Sequence, residues 1–96
     1  MATGSDELVR AHIWVTGRVQ GVCFRMYTVD EARRHDVSGW VSNLLDGRVE
    51  AVIEGHEEGV KRIVNWCRHG PLYASVANLE LRWEKYRGEF HTFAIR

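Results

Sequence analysis

The chain has 96 residues, in which 13 lysine and arginine side chains balance 13 aspartate and glutamate side chains. This length accommodates one domain with a modest core, and the lack of a basic excess argues against nucleic-acid or membrane-surface binding. Because the two cysteines lack metal-ligand spacing and are too few for a disulfide framework, we expect the reducing cytoplasm. We also expect a monomer with no nucleic-acid or membrane partner.

Residues 1–7 are small, polar or acidic, and we expect a disordered extension there, followed by a single domain over residues 8–96. They include no apolar run, so no signal peptide is expected. Residues 8–16 alternate in polarity, the pattern of a strand with one buried face. The predicted buried positions are Val9, Ala11, Ile13 and Val15. Trp14 belongs to the opposite face, where we expect it to be open to solvent.

A glycine-containing turn, Gly17-Arg-Val-Gln-Gly-Val-Cys-Phe-Arg25, connects this strand to a predicted helix over residues 26–36. Glycines allow backbone N–H groups to converge, and a helix start adds unpaired donors and partial positive charge. The turn has no Ser, Thr, Asp or Asn to cap the helix, so its donors are available to an anion. The alternative is a capping box of Thr28 and Glu31, which would start the helix one turn later.

The predicted helix carries a narrow apolar stripe, formed by Met26, Val29 and Ala32. Two alternating segments follow it, at residues 37–43 and 48–54. Asp46-Gly47 lies between them and is a strong hairpin signal, because a tight turn requires positive φ.

The second helix is the most clearly marked element, with acidic residues at its start and a Gly-Pro pair beyond its end. We predict it over residues 57–69, with an apolar stripe of Val60, Ile63, Val64 and Cys67. Residues 77–84 form a strand whose apolar set is Ala77, Leu79, Leu81 and Trp83. Residues 90–96 form the last strand, with Phe93 and Ile95 inward. The element order predicts an α+β, ferredoxin-like βαββαβ sandwich, an antiparallel sheet with two helices on one face and an additional C-terminal strand.

Two motifs give the chain a family resemblance. The first is the turn at residues 17–25 with Thr28 and Ala32, and the second is Gly39-Trp-Val-Ser-Asn43 with Asp46-Gly47-Arg48-Val49-Glu50. Softer matches are Gly70-Pro71 with Ala74 and Val76, and the closing Phe93-Ala-Ile-Arg96. Through these motifs, over roughly residues 9–96, the chain resembles the acylphosphatases.

The resemblance implies metal-free hydrolysis of a small-molecule acyl phosphate to a carboxylate and inorganic phosphate, with no cofactor and no metal site. It implies that Arg25 and Asn43 are catalytic, with Asn43 positioning the attacking water. It also implies that Arg25 and the turn amides hold the substrate phosphate, and these amides belong to Arg18, Val19, Gln20, Gly21 and Val22.

The residue types suit this chemistry. An acyl phosphate already has a carboxylate leaving group, so positioning and electrostatic stabilisation are the remaining demands. Arginine presents a fork that matches two phosphate oxygens, and an amide can hold water without titrating. By spacing alone, however, Arg25 is also compatible with a surface position and Asn43 with an ordinary turn. The alternative function is a catalytically idle ferredoxin-like module that binds a phosphate-bearing ligand or a protein partner.

Two further residues of the turn need an interpretation. Cys23 has no histidine paired with it in the local sequence, so we expect a partly buried thiol and not a nucleophile. The Gln20 side chain could touch substrate, but we favour a solvated loop position. The five histidines show no metal-ligand spacing.

Overall fold

Five strands and two helices make up the computed structural model, which describes residues 7–96. In chain order they are β1 (Leu8–Arg18), α1 (Phe24–Arg34), β2 (Ser38–Asn43), β3 (Val49–His56), α2 (Glu57–Cys67), β4 (Ser75–Glu84) and β5 (Phe93–Ile95). The extension expected at residues 1–7 lies outside the described residues except for Glu7, whose backbone oxygen accepts a hydrogen bond from the Glu57 N–H at 3.0 Å.

The sheet has the strand order β4-β1-β3-β2-β5. Its first four strands pair antiparallel, and β5 joins the far edge parallel to β2. Both helices contribute to one hydrophobic cluster with one face of the sheet. The ferredoxin-like α+β prediction is therefore confirmed, with a terminal strand that makes the sheet mixed.

The predicted inward positions of β1 and α2 are confirmed. Ala11, Ile13 and Val15 are fully buried, as are Val60, Ile63 and Cys67, while Val64 is nearly so. The stripe of α1 is partly wrong, because Met26 is half exposed. Phe24, which begins the helix, is buried instead. Its ring lies 5.6 Å from that of Trp66, and so it anchors the helix start to α2.

Thr28 is fully buried inside α1, and its hydroxyl donates to the Phe24 backbone oxygen at 2.7 Å. It therefore satisfies a group within the helix and does not cap its start. The capping-box alternative is wrong, since the helix begins at Phe24 with no side-chain cap.

A bulge corrects the inward set predicted for β4. The register with β1 shifts between Thr16 and Gly17, which pair with Asn78 and Val76 and leave Ala77 as the extra residue. Val76 consequently packs on the core, while Ala77 is exposed. A Cβ on Gly17 would lie 2.2 Å from the Ser75 oxygen, so only glycine fits this close approach.

The inward positions predicted near two strand ends are also partly wrong. Phe93 is fully buried, as predicted, but Ile95 is 49% exposed. In β4, Leu79 and Leu81 pack on the core, whereas Trp83 is 49% exposed. Alternation predicts the face of a residue correctly, but it does not indicate where the cover provided by the helices ends.

The sheet face away from the helices, here called the open face, carries a buried charged pair. Arg10 Nη1 lies 3.1 Å from the Glu54 carboxylate, which is fully buried. Glu54 also accepts hydrogen bonds from the backbone N–H groups of Arg87 and Gly88, at 2.9 and 3.1 Å. These contacts hold the connection that leads from β4, at one edge of the sheet, to β5 at the other.

Candidate active site

The turn between β1 and α1 forms a backbone cradle. Gly21 and Cys23 have positive φ values of 75° and 64°, whereas Gln20 and Val22 do not. Such alternation directs successive N–H groups toward one point and creates an anion-binding concavity. Within residues 7–96, the N–H groups of residues 20–22 have no hydrogen-bond acceptor. The first turn of α1 adds donors of its own, because no side chain caps it.

Beside this cradle lies a concavity of about 360 Å³. It brings together most of the residues predicted for the site, and its lining consists of Val19, Gln20, Gly21, Cys23, Phe24, Arg25, Met26, Asn43 and Ile95. Val19 is 1% exposed and its side chain belongs to the core, so that side chain does not contact a ligand. Arg18 and Val22 line a neighbouring groove and not this concavity.

Arg25 is the second residue of α1 and is half-buried at the concavity. It has no hydrogen bond or ion pair with any of residues 7–96. By contrast, Arg34, Arg48 and Lys61 each lie about 3 Å from a carboxylate oxygen, at 3.1, 2.9 and 2.9 Å. A half-buried guanidinium without a carboxylate partner is suited to an anionic ligand.

Asn43 ends β2 and is paired in register with Val49 of β3. Its Oδ1 atom is buried, and no group within the described part of the chain donates a hydrogen bond to it. A buried acceptor left without a partner costs about 1–3 kcal/mol, so such groups usually serve a function or bind water. Asn43 lines the same concavity as Gly21 and Arg25.

Gln20 connects the cradle to the β2–β3 hairpin. Its Nε2 group donates to the backbone oxygens of Leu44 and Arg48, at 2.8 and 3.0 Å. The favoured interpretation of a solvated side chain is therefore wrong. Sequence reasoning missed this bridge because its partners lie 24 and 28 residues away and are backbone atoms, which leave no mark in the side-chain pattern.

The two cysteines differ in environment, and both are free thiols. Cys23 is exposed, so the expectation of partial burial is wrong. It immediately precedes α1 in a left-handed conformation that strains a residue with a Cβ. Cys67 is the last residue of α2 and is buried, and this burial raises the pKa of its thiol to about 12.

Two structural findings concern other classes of function. Within residues 7–96, no group of three or more His, Cys, Asp or Glu side chains is arranged to hold a metal ion. In the same part of the chain, neither helix has the length and apolar character needed to cross a bilayer.

The fold and the cradle define the class of protein as a ferredoxin-like α+β domain whose turn between the first strand and the first helix has the geometry to accept an anion. The family model named Acylphosphatase matches residues 11–95. The chain therefore belongs to the acylphosphatase family.

Relatives and solved structures agree with this assignment. An acylphosphatase from Chloroflexus aurantiacus is 52% identical over 89 residues, which cover 93% of this chain and 97% of that protein. The acylphosphatase structure from Coxiella burnetii has a TM-score of 0.89 at 30% identity and covers all of both chains. That from Bacillus subtilis has a TM-score of 0.88 at 34% identity, covering 92% of this chain and 98% of the other. The predicted enzyme class, acylphosphatase acting on a small-molecule acyl phosphate, is thereby confirmed.

Proposed function

We propose that the chain hydrolyses acyl phosphates by holding the phosphoryl group in the cradle while Asn43 positions the attacking water. The observation that carries this proposal is the concavity in which the cradle, the unpaired Arg25 guanidinium and the unpaired Asn43 oxygen meet. Each of these groups meets a different requirement of the reaction.

The phosphate is bound by donors alone. The backbone N–H groups of residues 18–22 donate to it, chiefly those of residues 20–22, and Arg25 donates to two of its oxygens with its planar fork. These donors are in place before the reaction, so they stabilise the charge on the phosphoryl oxygens in the transition state without rearranging. Lysine at position 25 would provide the charge without the two-point geometry.

The water is held on the side of the concavity that β2 provides. The Asn43 side-chain amide holds the water so that an oxygen lone pair points toward phosphorus, in line with the departing carboxylate. The new P–O bond forms as the bond between phosphorus and the acyl oxygen breaks. The carboxylate leaves with its electron pair, and the proton released from water passes to solvent or to the phosphate product.

This mechanism predicts which bond breaks. The purified chain is incubated with benzoyl phosphate in water enriched in a heavy oxygen isotope, with and without EDTA. We expect inorganic phosphate to be released under both conditions and to carry the label, because water attacks phosphorus. Label in the benzoate would contradict the proposal, since it would mean attack at the carbonyl carbon. Loss of turnover with EDTA would contradict the metal-free mechanism.

We also infer a monomeric, cytoplasmic protein. Two free thiols, one of them exposed at the site, are suited to a reducing compartment. Sedimentation of the purified chain at the mass of a single copy supports the monomer, and a concentration-dependent larger species contradicts it.

A further inference from the structure

A second groove lies on the other side of the cradle, with a volume of about 640 Å³. Its apolar walls are formed by Val22 and Tyr27 on one side and by Trp66, Pro71, Leu72 and Tyr73 on the other. We propose that this groove, called here the acyl groove, binds the acyl group of the substrate and selects aromatic over small acyl groups. The proposal rests on the proposed function, because it assumes that the phosphate of the same molecule occupies the cradle.

The first argument is continuity. Gly21 and Cys23 line both the phosphate concavity and the acyl groove, so they form the crest between them. Gly21 has no side chain, and a Cβ built there would meet no atom within 4 Å. The crest is therefore low and open at Gly21. Only one oxygen atom separates the acyl carbon from phosphorus. An acyl group that extends from the cradle over Gly21 therefore lies directly in the groove.

The second argument is exposed apolar surface. Leu72 and Tyr73 are 87% and 75% exposed, and Tyr27 beside them is 46% exposed. Single exposed apolar residues are common, but a contiguous group beside a binding site is typical of a ligand contact. Three of the six wall residues are aromatic, which favours a flat aromatic acyl group that can stack or contact ring edges.

The third argument is charge. Arg18 and Glu31 also line the groove, one of each sign, so the groove as a whole favours a neutral occupant. Glu31 is already paired with Arg34 at 3.1 Å, whereas Arg18 has no ionic partner within residues 7–96. The free positive charge therefore lies at the end nearest the cradle, where the phosphate is bound.

The groove is also formed before a ligand arrives. Trp66 is fixed against Phe24, and the Ala74 N–H donates to the Pro71 oxygen at 3.0 Å across the turn that presents Leu72 and Tyr73. Gly70 packs so closely on Phe24 that a Cβ would lie 2.6 Å from the ring. A preformed apolar wall binds its ligand without paying the entropy of ordering a loop.

The test compares two substrates on three proteins, each containing all 96 residues. The proteins are the parent, the L72A/Y73A double variant and a matched control, L45A, whose fully exposed leucine lies outside the groove. We expect kcat/KM for benzoyl phosphate to fall by about fivefold or more in the double variant, and that for acetyl phosphate to change by less than about twofold. Inhibition by inorganic phosphate, which reports on the cradle, should be unchanged. The control should behave as the parent.

The outcomes separate the two proposals. If kcat/KM changes by the same factor for both substrates, so that their ratio is unchanged, the acyl groove is overturned. The proposed function is then still intact. If the parent hydrolyses neither substrate, the proposed function fails, and calorimetry with two stable phosphonates decides on the groove. Tighter binding of benzoylmethylphosphonate than of acetonylphosphonate, lost in the double variant, supports the groove. Equal binding of the two compounds overturns it.

Discussion

Replacing Gln20 with alanine should slow the enzyme without weakening its hold on phosphate. The cradle and Arg25 belong to one continuous segment, whereas Asn43 comes from the hairpin that Gln20 contacts. Loss of the bridge therefore changes the distance between the bound phosphate and the water without altering the phosphate donors. Because a displacement of about 1 Å can cost about 100-fold in rate, we expect kcat to fall by roughly 10- to 100-fold.

The stability cost can be estimated from the same contacts. Each of the two hydrogen bonds contributes about 1 kcal/mol. Leu44 and Arg48 each keep another donor for the same oxygen, the N–H groups of Gly47 and Leu44, so no carbonyl is orphaned. The free energy of unfolding should thus fall by about 1–2 kcal/mol, measured by urea denaturation.

The assay is steady-state hydrolysis of benzoyl phosphate together with competitive inhibition by inorganic phosphate. The matched control is Asp46→Ala, which removes the contacts of an exposed carboxylate with Arg48 at the tip of the same hairpin and leaves the bridge in place. We expect the control to keep kcat within about twofold and the Gln20 variant to keep the phosphate inhibition constant within about threefold. A folded Gln20→Ala protein with the parent kcat, or an equal loss in the control, would refute the bridge.

Further predictions concern thiols and charge. A thiol reagent should label Cys23 in the native protein and Cys67 only on unfolding, because burial raises the pKa of the Cys67 thiol to about 12; labelling of both at equal rates would contradict this. Glu54→Ala leaves a buried arginine partly uncompensated and should lower the free energy of unfolding by about 3 kcal/mol in urea. The hydrogen bond from His12 lowers the pKa of Glu84 from its usual 4.5, so its contribution to stability is present above that value. This contribution should be lost as pH falls through the lowered pKa, and thermal melts of Glu84→Gln should show a correspondingly weaker acid dependence.

Much of the fold could be predicted because local patterns coincide with burial. The alternation in β1 and the stripe in α2 mark their core faces correctly. The limits of β5 could not be predicted in this way, because residues 85–92 form the connection that crosses the open face. Glu54 holds that crossing from more than 30 residues away, through backbone N–H groups that no side-chain pattern records.

The sequence motifs predicted residues that meet at one concavity, but not the contacts that hold them there. The motifs indicate Arg25 and Asn43, and the structure places both at one concavity. The left-handed conformation of Cys23 could not be predicted, because a non-glycine residue adopts it only when its surroundings impose it. The bulge at Ala77 likewise depends on the close approach of Gly17 to a strand about 60 residues later, which no local pattern encodes.

The most direct test of the central claim is the binding of inorganic phosphate to Asn43→Ala, measured by calorimetry alongside its turnover of benzoyl phosphate. Because the Asn43 oxygen is buried without a partner, the variant should fold at least as stably as the parent, which thermal melts will check. We expect phosphate affinity within a few-fold of the parent and a kcat lower by roughly 100-fold or more. Arg25→Ala provides the contrast, since it should lose both. A folded Asn43→Ala protein that has lost phosphate binding but kept its turnover rate would contradict the account, because Asn43 would then be a phosphate ligand and not the residue that positions water.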